Sequence, residues 1–414
     1  MPDITQDYEV YELAGTFRAR GRIDSSQLKA STSANETIQA AVDALGAGGG
    51  EVRLHRGVYP LDAPLTLADS VTLRGCGRAS RLAVTEKNEA GIAVLCEKLT
   101  GALVTDLSAA PHKGAKSVAG VVLDDCGDCK VTDVFCTSFD QYGIWMRNNS
   151  FLCEIRGCTL SGNADTNLHL DHLREGRYGQ YIPNLVTNCI VYGGGKGIVC
   201  DNAIVANIIA CAVYQTGGYA YHVHGSSNSV LISGCRSFQI SNDCVVIEDT
   251  HEFNCSSNVF CWHTGHGIVV RNAHWGTICG NEIIDTGSYN PDCPNFTRKI
   301  QEVTDRTPLF NGIELINTHG YSVSGNTLFN WCVAPPMRIG IREDSDCFKN
   351  IIGGNNVNYY KEDAVRSEGK ETVIGENVSY AEHPHQGWDH DSNLQTYHTQ
   401  LTRDFIALQA DIEK

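Results

Sequence analysis

Acidic, histidine and arginine side chains recur at one position of a repeated phrase in this sequence. The phrase is a small residue followed by an alternating apolar pair, and it begins at eight places between Gly143 and Arg338. Its apolar residues must face one side of a strand, so the residues between and after them face the other side. The outward position after the pair holds, in chain order, Arg147, Asp171, Asp201, His224, Glu248, Arg271, Ile316 and Arg342. The outward position within the pair holds Trp145, His169, Val199, His222, Val246, Val269 and Glu314.

The spacing of the carboxylates predicts acid–base chemistry. If the phrases stack as neighbouring strands, Asp171 and Asp201 are one strand apart, about 5 Å, and Asp201 and Glu248 are two apart, about 9–10 Å. The shorter separation fits a retaining glycosidase, and the longer one lies at the upper edge for an inverting glycosidase. Close like charges raise the pKa of one partner, which makes it the acid, and His224 between them could relay protons. We therefore predict Asp201, Glu248, Asp171 and His224 as the catalytic residues.

Side chains around these carboxylates are expected to bind substrate. Trp145, Trp262 and Trp275 offer flat surfaces on which a sugar ring could stack. The predicted substrate-binding residues are Trp145, Arg147, His169, His222, Arg271, Trp262 and Asp243. Near the end of the Glu248 strand, the residues that could replace a member of the carboxylate pair are Asp243, Asp249, His251 and Glu252. We interpret His263, His266 and His274 as turn residues.

No cofactor and no metal is expected, although Asp171 with Asp201 could bind calcium, as acidic clusters do. No calcium-ligand loop can be recognised in the sequence. Cys126 and Cys129 form a single Cys-x-x-Cys pair without a partner pair, so a zinc site is not predicted.

The repeat itself predicts the architecture that positions these residues. Most phrases begin about 23 residues apart, and a second alternating run, such as Ser229–Cys235, follows about ten residues later. Short runs of period two with Gly, Asn and Ser between them are typical of strands. Several short strands per unit with no helical segment between them predict a parallel β-solenoid. A leucine-rich ladder is absent, and the units are too short for β-propeller blades.

Cysteines keep the same register as the strands. Cys158, Cys189, Cys211 and Cys235 each follow a second-run strand, and Asn281, Asn326 and Asn355 continue the position. We interpret this as a stacked ladder of buried free thiols that gives way to asparagines.

The N-terminal part of the chain resembles the opening of pectate-lyase-like right-handed β-helices. The resemblance depends on Ala34–Leu45, the glycine turn at Gly48–Leu54, Gly57–Tyr59 and Val71–Gly77. It implies an all-β right-handed parallel β-helix with a short N-terminal capping helix, and Ile38, Val42 and Leu45 share one helical face as such a cap requires. The fold hosts lyases, hydrolases, epimerases, fructotransferases and phage tailspikes, so it does not fix the chemistry. Inulin fructotransferases and difructose dianhydride hydrolases are similar in architecture only.

The chain is expected to divide into an N-terminal segment (1–33), the β-helix domain (34–378) and a linker with a C-terminal helix (379–414). Leu394, Leu401 and Leu408 lie seven residues apart, so this helix either caps the solenoid or pairs between subunits. Insertions at Leu173–Pro183 and Gly287–Phe310 lengthen two units and are expected to shape a groove or an oligomer contact.

Composition restricts the partners. The 414 residues carry 32 Lys and Arg against 48 Asp and Glu, a formal net charge of −16, which disfavours nucleic acid. No apolar run is long enough to span a membrane, and the N-terminus lacks a signal pattern, so a cytoplasmic location is expected. A homotrimer is the expected assembly.

Three functions follow from these observations. The first is cleavage of glycosidic bonds in a neutral oligo- or polysaccharide by paired carboxylates, as a hydrolase or an intramolecular glycosyl transferase. The second is a polysaccharide lyase or uronate epimerase, which needs a cation for the uronate and a Lys, Arg or Tyr base. The acidic column and the net charge favour the first. The third is a non-catalytic carbohydrate-binding solenoid.

Overall fold

Each turn of the chain contributes a short strand to each of three parallel sheets. The computed structural model describes residues 7–173, 183–287, 310–330 and 337–381. Within these ranges, sheet A has 16 strands, sheet B has 13 and sheet C has 12, and strands from successive turns are hydrogen-bonded neighbours. The predicted β-solenoid is confirmed.

The strands follow in chain order for each sheet. Sheet A consists of Tyr8–Leu13, Thr16–Gly21, Gln27–Ser31, Gly50–Leu54, Val71–Arg74, Leu103–Thr105, Lys130–Thr132, Glu154–Arg156, Asn184–Thr187, Ile204–Ile209, Asn228–Ser233, Asn254–Ser256, Thr277–Cys279, Ser322–Ser324, Ile351–Gly353 and Val373–Ile374. Sheet B consists of Gly57–Leu61, Ser80–Val84, Ser108–Pro111, Phe135–Thr137, Thr159–Ser161, Ile190–Tyr192, Ala212–Tyr214, Arg236–Ile240, Val259–His263, Glu282–Thr286, Thr327–Phe329, Asn356–Asn358 and Val378–Tyr380. Sheet C consists of Leu65–Thr66, Ile92–Glu97, Ala119–Asp124, Tyr142–Arg147, Thr166–Asp171, Lys196–Asp201, Tyr221–His224, Val245–Glu248, Ile268–Arg271, Ile313–Ile316, Met337–Glu343 and Tyr360–Ser367.

The core fills the space between the three sheets. Alternate residues of each strand point inward, as the period of two requires. In sheet C, Ile144 and Met146 pair with Leu168 and Leu170 of the next turn, and all four are fully buried. Stacking of apolar side chains on equivalent side chains is thus the main source of burial, and it fixes the register of the outward residues.

The N-terminal end of the solenoid is covered by a helix and a small antiparallel extension of sheet A. The helix Ala34–Leu45 begins at Ser33, whose hydroxyl accepts a hydrogen bond from the amide of Glu36, and it continues into a 3₁₀ turn at Gly46–Gly48. Its buried residues include Ile38, Val42 and Leu45, so the predicted capping helix is confirmed. The first three strands are antiparallel to one another, and Tyr8–Leu13 then pairs with Gly50–Leu54 in parallel.

The predicted ladder of thiols and asparagines lies inside the solenoid. Cys158, Cys189, Cys211 and Cys235 are buried and free, and each thiol approaches a backbone carbonyl of the preceding turn. Above them the ladder continues through Asn258, which the sequence analysis did not include, to Asn281, Asn326 and Asn355. Each asparagine amide donates to the side-chain oxygen of the next, at 2.9 Å in the pairs Asn258–Asn281, Asn281–Asn326 and Asn326–Asn355.

Two predicted features lie outside the described residues. They are the interiors of both insertions and the C-terminal helix within 379–414, of which only 379–381 are described. Among the described helices, none is long and apolar enough to cross a membrane.

A candidate active groove on sheet C

The outer face of sheet C carries the predicted column of charged side chains. Arg147, Asp171, Asp201 and His224 are register partners on successive strands. Glu248 lies on the next strand, where it pairs with Arg271 of the strand after it. All six side chains are half-buried, so each is both held by neighbours and reachable from solvent.

Arg342 does not belong to this column. The column continues from Arg271 to its register partner Ile316, whereas Arg342 pairs with Glu314, two residues earlier. The last phrase was therefore predicted two residues out of register. Gly340, not Arg338, is the equivalent of Gly312, because Ile341 pairs with Ile313. The structure thus brings Arg342 onto the Glu314 carboxylate as an ion pair.

Most residues of the second predicted column are buried. It runs through Trp145, His169, Val199, His222, Val246, Val269 and Glu314 in the predicted order. Val199, Val246 and Val269 are at most 1% exposed, and His222 and Glu314 are also buried. The expectation that this column faces solvent is therefore wrong for most of its length. Only Trp145 and His169 are half-buried and border the open part of the groove.

Asp171 and Asp201 form a close acidic pair on the outer face of sheet C. One ligand atom of each of His169, Asp171 and Asp201 lies within 4.8 Å of the others. His172 contacts the Asp171 carboxylate through Nδ1, and the amide of Asn202 donates to Asp201 at 2.8 Å. The predicted pair is thus brought together, with an imidazole at its side.

His169 is held as a neutral ring beside this pair. Burial lowers the pKa of His169, and the nearby carboxylates of Asp171 and Asp201 only partly oppose that effect. Its Nδ1 atom is buried without a hydrogen-bond partner. Since a buried N–H without an acceptor is costly, the proton of neutral His169 belongs on Nε2. His169 is thereby a hydrogen-bond donor.

Glu248 lies two strands away from Asp201, where it contacts His222 and Arg271. His222 Nε2 donates to Glu248 Oε1 at 2.9 Å, and Arg271 lies 3.5 Å from Oε2. Burial works to raise the pKa of Glu248, but the hydrogen bond from His222 and nearby positive charge, that of Arg271 included, together hold it below its ordinary value. Glu248 is therefore ionised and suits a base or an electrostatic role, not an acid.

His224 connects the two carboxylate groups. Its Nδ1 lies 3.5 Å from Asp201 Oδ1, and its ring stacks on that of His222 with centroids 4.2 Å apart. Burial lowers the pKa of His222 to about 4, and the charge of His224 adds to the effect. A chain of side chains thus runs from Asp201 through His224 and His222 to Glu248.

The lower end of the groove is aromatic. The guanidinium of Arg147 lies 4.0 Å from the ring centroid of Trp145 and 2.7 Å from Asp124 Oδ2. The Tyr142 ring packs against both Trp145 and His169, at 4.7 and 4.9 Å between centroids. This surface could hold a sugar ring beside Asp171.

Three residues from which substrate contacts were predicted lie elsewhere. Trp262 belongs to sheet B, where it packs on Phe238 and its indole N–H donates to Asp285 at 2.6 Å. Trp275 lies at a corner beyond the end of sheet C. Asp243 lies at the turn that leads into Val245–Glu248, where it accepts a hydrogen bond from the amide of His266 at 2.7 Å.

The sequence analysis missed Tyr142 and Tyr219, which pack on the imidazoles of His169 and His222. Tyr142 contacts His169, and Tyr219 contacts His222 at the same centroid distance of 4.9 Å. Burial raises the pKa of both tyrosines, and nearby carboxylates add to this, so both phenols stay protonated. A signal was available, since both tyrosines lie three residues before a residue of the second column, Trp145 or His222.

The cluster of His169, Asp171 and Asp201 does not fit calcium. Calcium takes six to eight oxygen ligands, whereas this set offers two carboxylates and a nitrogen. A histidine that binds a metal through one nitrogen normally donates the other N–H to a partner. Nδ1 of His169 has no such partner, so no step is assigned to a metal here.

Comparison with known proteins supports the architecture. No protein-family model and no curated protein matches the chain. Similar solved structures include the A-modules of the mannuronan C-5 epimerases AlgE6 and AlgE4 of Azotobacter vinelandii, both 16% identical with TM-score 0.59. The matches cover 84% of this chain and 95% of the AlgE6 module, and 85% of this chain and 94% of the AlgE4 module. The Dettilon tailspike protein is 14% identical with TM-score 0.60, over 81% of this chain and 65% of that chain. At this identity the similarity shows the fold alone, and the chain is a right-handed parallel β-helix.

Proposed function

We propose that the protein is a carbohydrate-active enzyme that cleaves glycosidic bonds in the sheet C groove, with Asp171 and Asp201 as the reacting carboxylates. The observation that carries this proposal is the close approach of the two side chains, whose ligand atoms lie within 4.8 Å. Retaining glycosidases place their two carboxyl groups about 5–5.5 Å apart. One carboxylate would attack the anomeric carbon while the other protonates the leaving oxygen and later activates water.

The surroundings of the pair support this chemistry. Trp145 and Tyr142 provide an aromatic surface on the turn below Asp171, which suits a sugar ring. His169, as an Nε2–H donor, would stabilise the carboxylate that stays ionised. Glu248 is held ionised by His222 and Arg271, so it would stabilise positive charge that develops on the sugar.

Substitution of the pair by isosteric amides tests the proposal. We expect Asp171→Asn and Asp201→Asn each to lower kcat by at least ~10²-fold on an oligosaccharide that the wild type cleaves, because each removes an acid, base or nucleophile. Glu282→Gln is the matched control, since it changes an exposed carboxylate on sheet B. The products are identified by mass spectrometry, and hydrolysis adds one water per cut. Full activity of both groove variants would exclude this pair.

A second candidate is an epimerase or lyase that removes a proton from a uronate. Two whole A-modules that share the fold are named mannuronan C-5 epimerases, which favours this candidate. Against it, the two arginines of the column are already paired, Arg147 with Asp124 and Arg271 with Glu248. The protonated phenols of Tyr142 and Tyr219 also suit an acid better than a base.

The same mass spectra separate the candidates. Elimination adds no water and creates an ultraviolet-absorbing double bond. Epimerisation in heavy water leaves the chain length unchanged and adds deuterium at the epimerised carbon. If no substrate in a panel of neutral and uronate oligosaccharides is changed but some are bound, the protein is a binding solenoid.

A further inference from the structure

A column of stacked rings lies at the corner where the chain leaves sheet C for sheet A. His251, His274, His319 and Phe348 occupy the same position on successive turns, joined by single parallel bridges. Their ring centroids are 5.9, 3.8 and 4.6 Å apart, and the interplanar angles are 11°, 32° and 20°. The rings therefore stack along the solenoid axis and form a rigid wall outside the groove.

Trp275 stands against this wall and remains open to solvent. Trp275 is 60% exposed. Its ring meets that of His319 nearly edge-on, with an interplanar angle of 85° and 5.5 Å between the ring centroids. Gly320 makes room for it, because a Cβ at that glycine would lie 2.8 Å from Cδ1 of Trp275. The φ of Gly320 is 69°, in the left-handed region, which also favours glycine at this position. A large flat apolar surface is thus fixed in place and uncovered within the described residues.

A row of polar side chains runs beside the wall. The amide of Asn317 donates to Asn272 at 2.9 Å, and the amide of Asn272 donates to Asp249 at 3.1 Å. These three exposed residues occupy the first turn position after sheet C on three successive turns. The surface thereby combines a flat ring with hydroxyl-binding amides. The carboxylates at the two ends of the row, Asp249 beside Asn272 and Asp344 beside Asn317, disfavour an anionic ligand.

We propose that Trp275 and the Asn272–Asn317 row form a second carbohydrate-binding surface, outside the groove, for a neutral pyranose chain. The apolar face of a sugar ring would stack on the indole, and its hydroxyl groups would bind the amides. The inference takes carbohydrate as the ligand class from the proposed function, but it assigns no reaction to this surface.

Binding of intact polysaccharides tests the proposal. Dextran, galactomannan and xyloglucan serve as neutral probes and polygalacturonate as the anionic one, with Asp171→Asn as the parent so that no probe is consumed. We expect the parent to bind a neutral probe and Trp275→Ala to weaken that binding about tenfold. Trp275→Phe should retain most of the affinity.

Leu152→Ala is the matched control. Leu152 follows Phe151 at the same corner, five turns below Trp275, and is 42% exposed but not aromatic. Its replacement should leave the affinity of the parent unchanged. Equal affinity of Trp275→Ala and the parent, or a preference for polygalacturonate that depends on Trp275, would overturn the second surface alone. Failure of the parent to bind any probe would also overturn it, and wild-type turnover of oligosaccharides then decides separately whether the proposed function stands.

Discussion

Neutral imidazoles whose Nδ1 atoms are buried distinguish this groove from a simple acidic face. His169 and His222 both have a lowered pKa, with burial as the largest cause, and the Nδ1 atoms of both are buried without a partner. Both rings therefore carry their proton on Nε2, and His222 donates it to the Glu248 carboxylate. A hydrogen bond of this kind helps to keep Glu248 ionised at neutral pH. Carboxylates in different surroundings can in this way act as acid in one place and as base in another.

His222 predicts a pH dependence of stability. Its pKa in the folded protein, about 4, lies below the ordinary value of 6.5, so the unfolded chain binds a proton first as the pH falls. The free energy of unfolding should therefore decrease between pH 6.5 and about 4, with ~3 kcal/mol from this residue. The lowered pKa of Glu248 adds a further loss below its ordinary value of 4.5.

Denaturant unfolding of His222→Gln against wild type checks this dependence. Because other buried histidines titrate equally in both proteins, the difference between the two curves isolates His222. We expect the stability of the variant to fall less than that of the wild type between pH 6.5 and 4.5. His112→Gln, at an exposed position, should keep the wild-type slope. Parallel curves for His222→Gln and wild type would contradict the assignment of a neutral buried ring.

At the scale of the strand and its turn, one ladder position is filled by two kinds of side chain. Cysteine at this position is small and tolerates a weak contact, whereas asparagine forms a continuous hydrogen-bonded column. Asn281 accepts from the backbone and the amide of Asn258 and donates to Cys255 O and Asn326 Oδ1, all between 2.9 and 3.1 Å. Loss of one asparagine therefore leaves several buried groups without partners.

The two halves of the ladder should respond differently to alanine. We expect Asn281→Ala to lower the free energy of unfolding by about 3 kcal/mol, because it orphans buried donors and an acceptor. Cys211→Ala should cost only about 1 kcal/mol, since it removes one small buried atom. Thermal and denaturant unfolding of both variants measures the difference. Equal costs would show that packing, not hydrogen bonding, dominates the upper half.

The sequence predicted the repeat, the sheet C columns and the helical cap because each depends on local periodicity. Stacked apolar positions such as Ile144 and Leu168 determine the register of the strands. The sequence alone could therefore place Asp171 next to Asp201. Errors arose where the period is interrupted. Arg342 was placed two residues out of register because the last phrase was started at Arg338 instead of Gly340. The burial of Val246 was missed because it depends on neighbours outside its own strand. The position of Trp262 on sheet B depends on the path of a whole turn, which a single motif does not reveal.

At the scale of the whole molecule, the two ends of the solenoid differ. The helix Ala34–Leu45 covers the N-terminal end, and its apolar face is buried. At the other end, the last strands of sheets A and B expose large apolar side chains, among them Val373, Ile374, Val378 and Tyr380. Unpaired strand edges with apolar side chains promote association of chains. Residues 382–414 follow this end directly and carry the leucine spacing that suits a cap or a subunit contact.

Deletion of residues 382–414 should therefore make the protein associate. We expect the shortened chain to form larger, concentration-dependent species than the full chain, because nothing else in the described part of the molecule covers the last strands. Size-exclusion chromatography with light scattering at several concentrations measures this. Val373→Lys with Val378→Lys in the shortened chain should reverse the association, since charged edge residues oppose strand pairing. If the shortened chain keeps the oligomeric state of the full chain at every concentration, residues 382–414 neither cap the solenoid nor join subunits. A homotrimer, where light scattering finds one, would then form through the lateral faces.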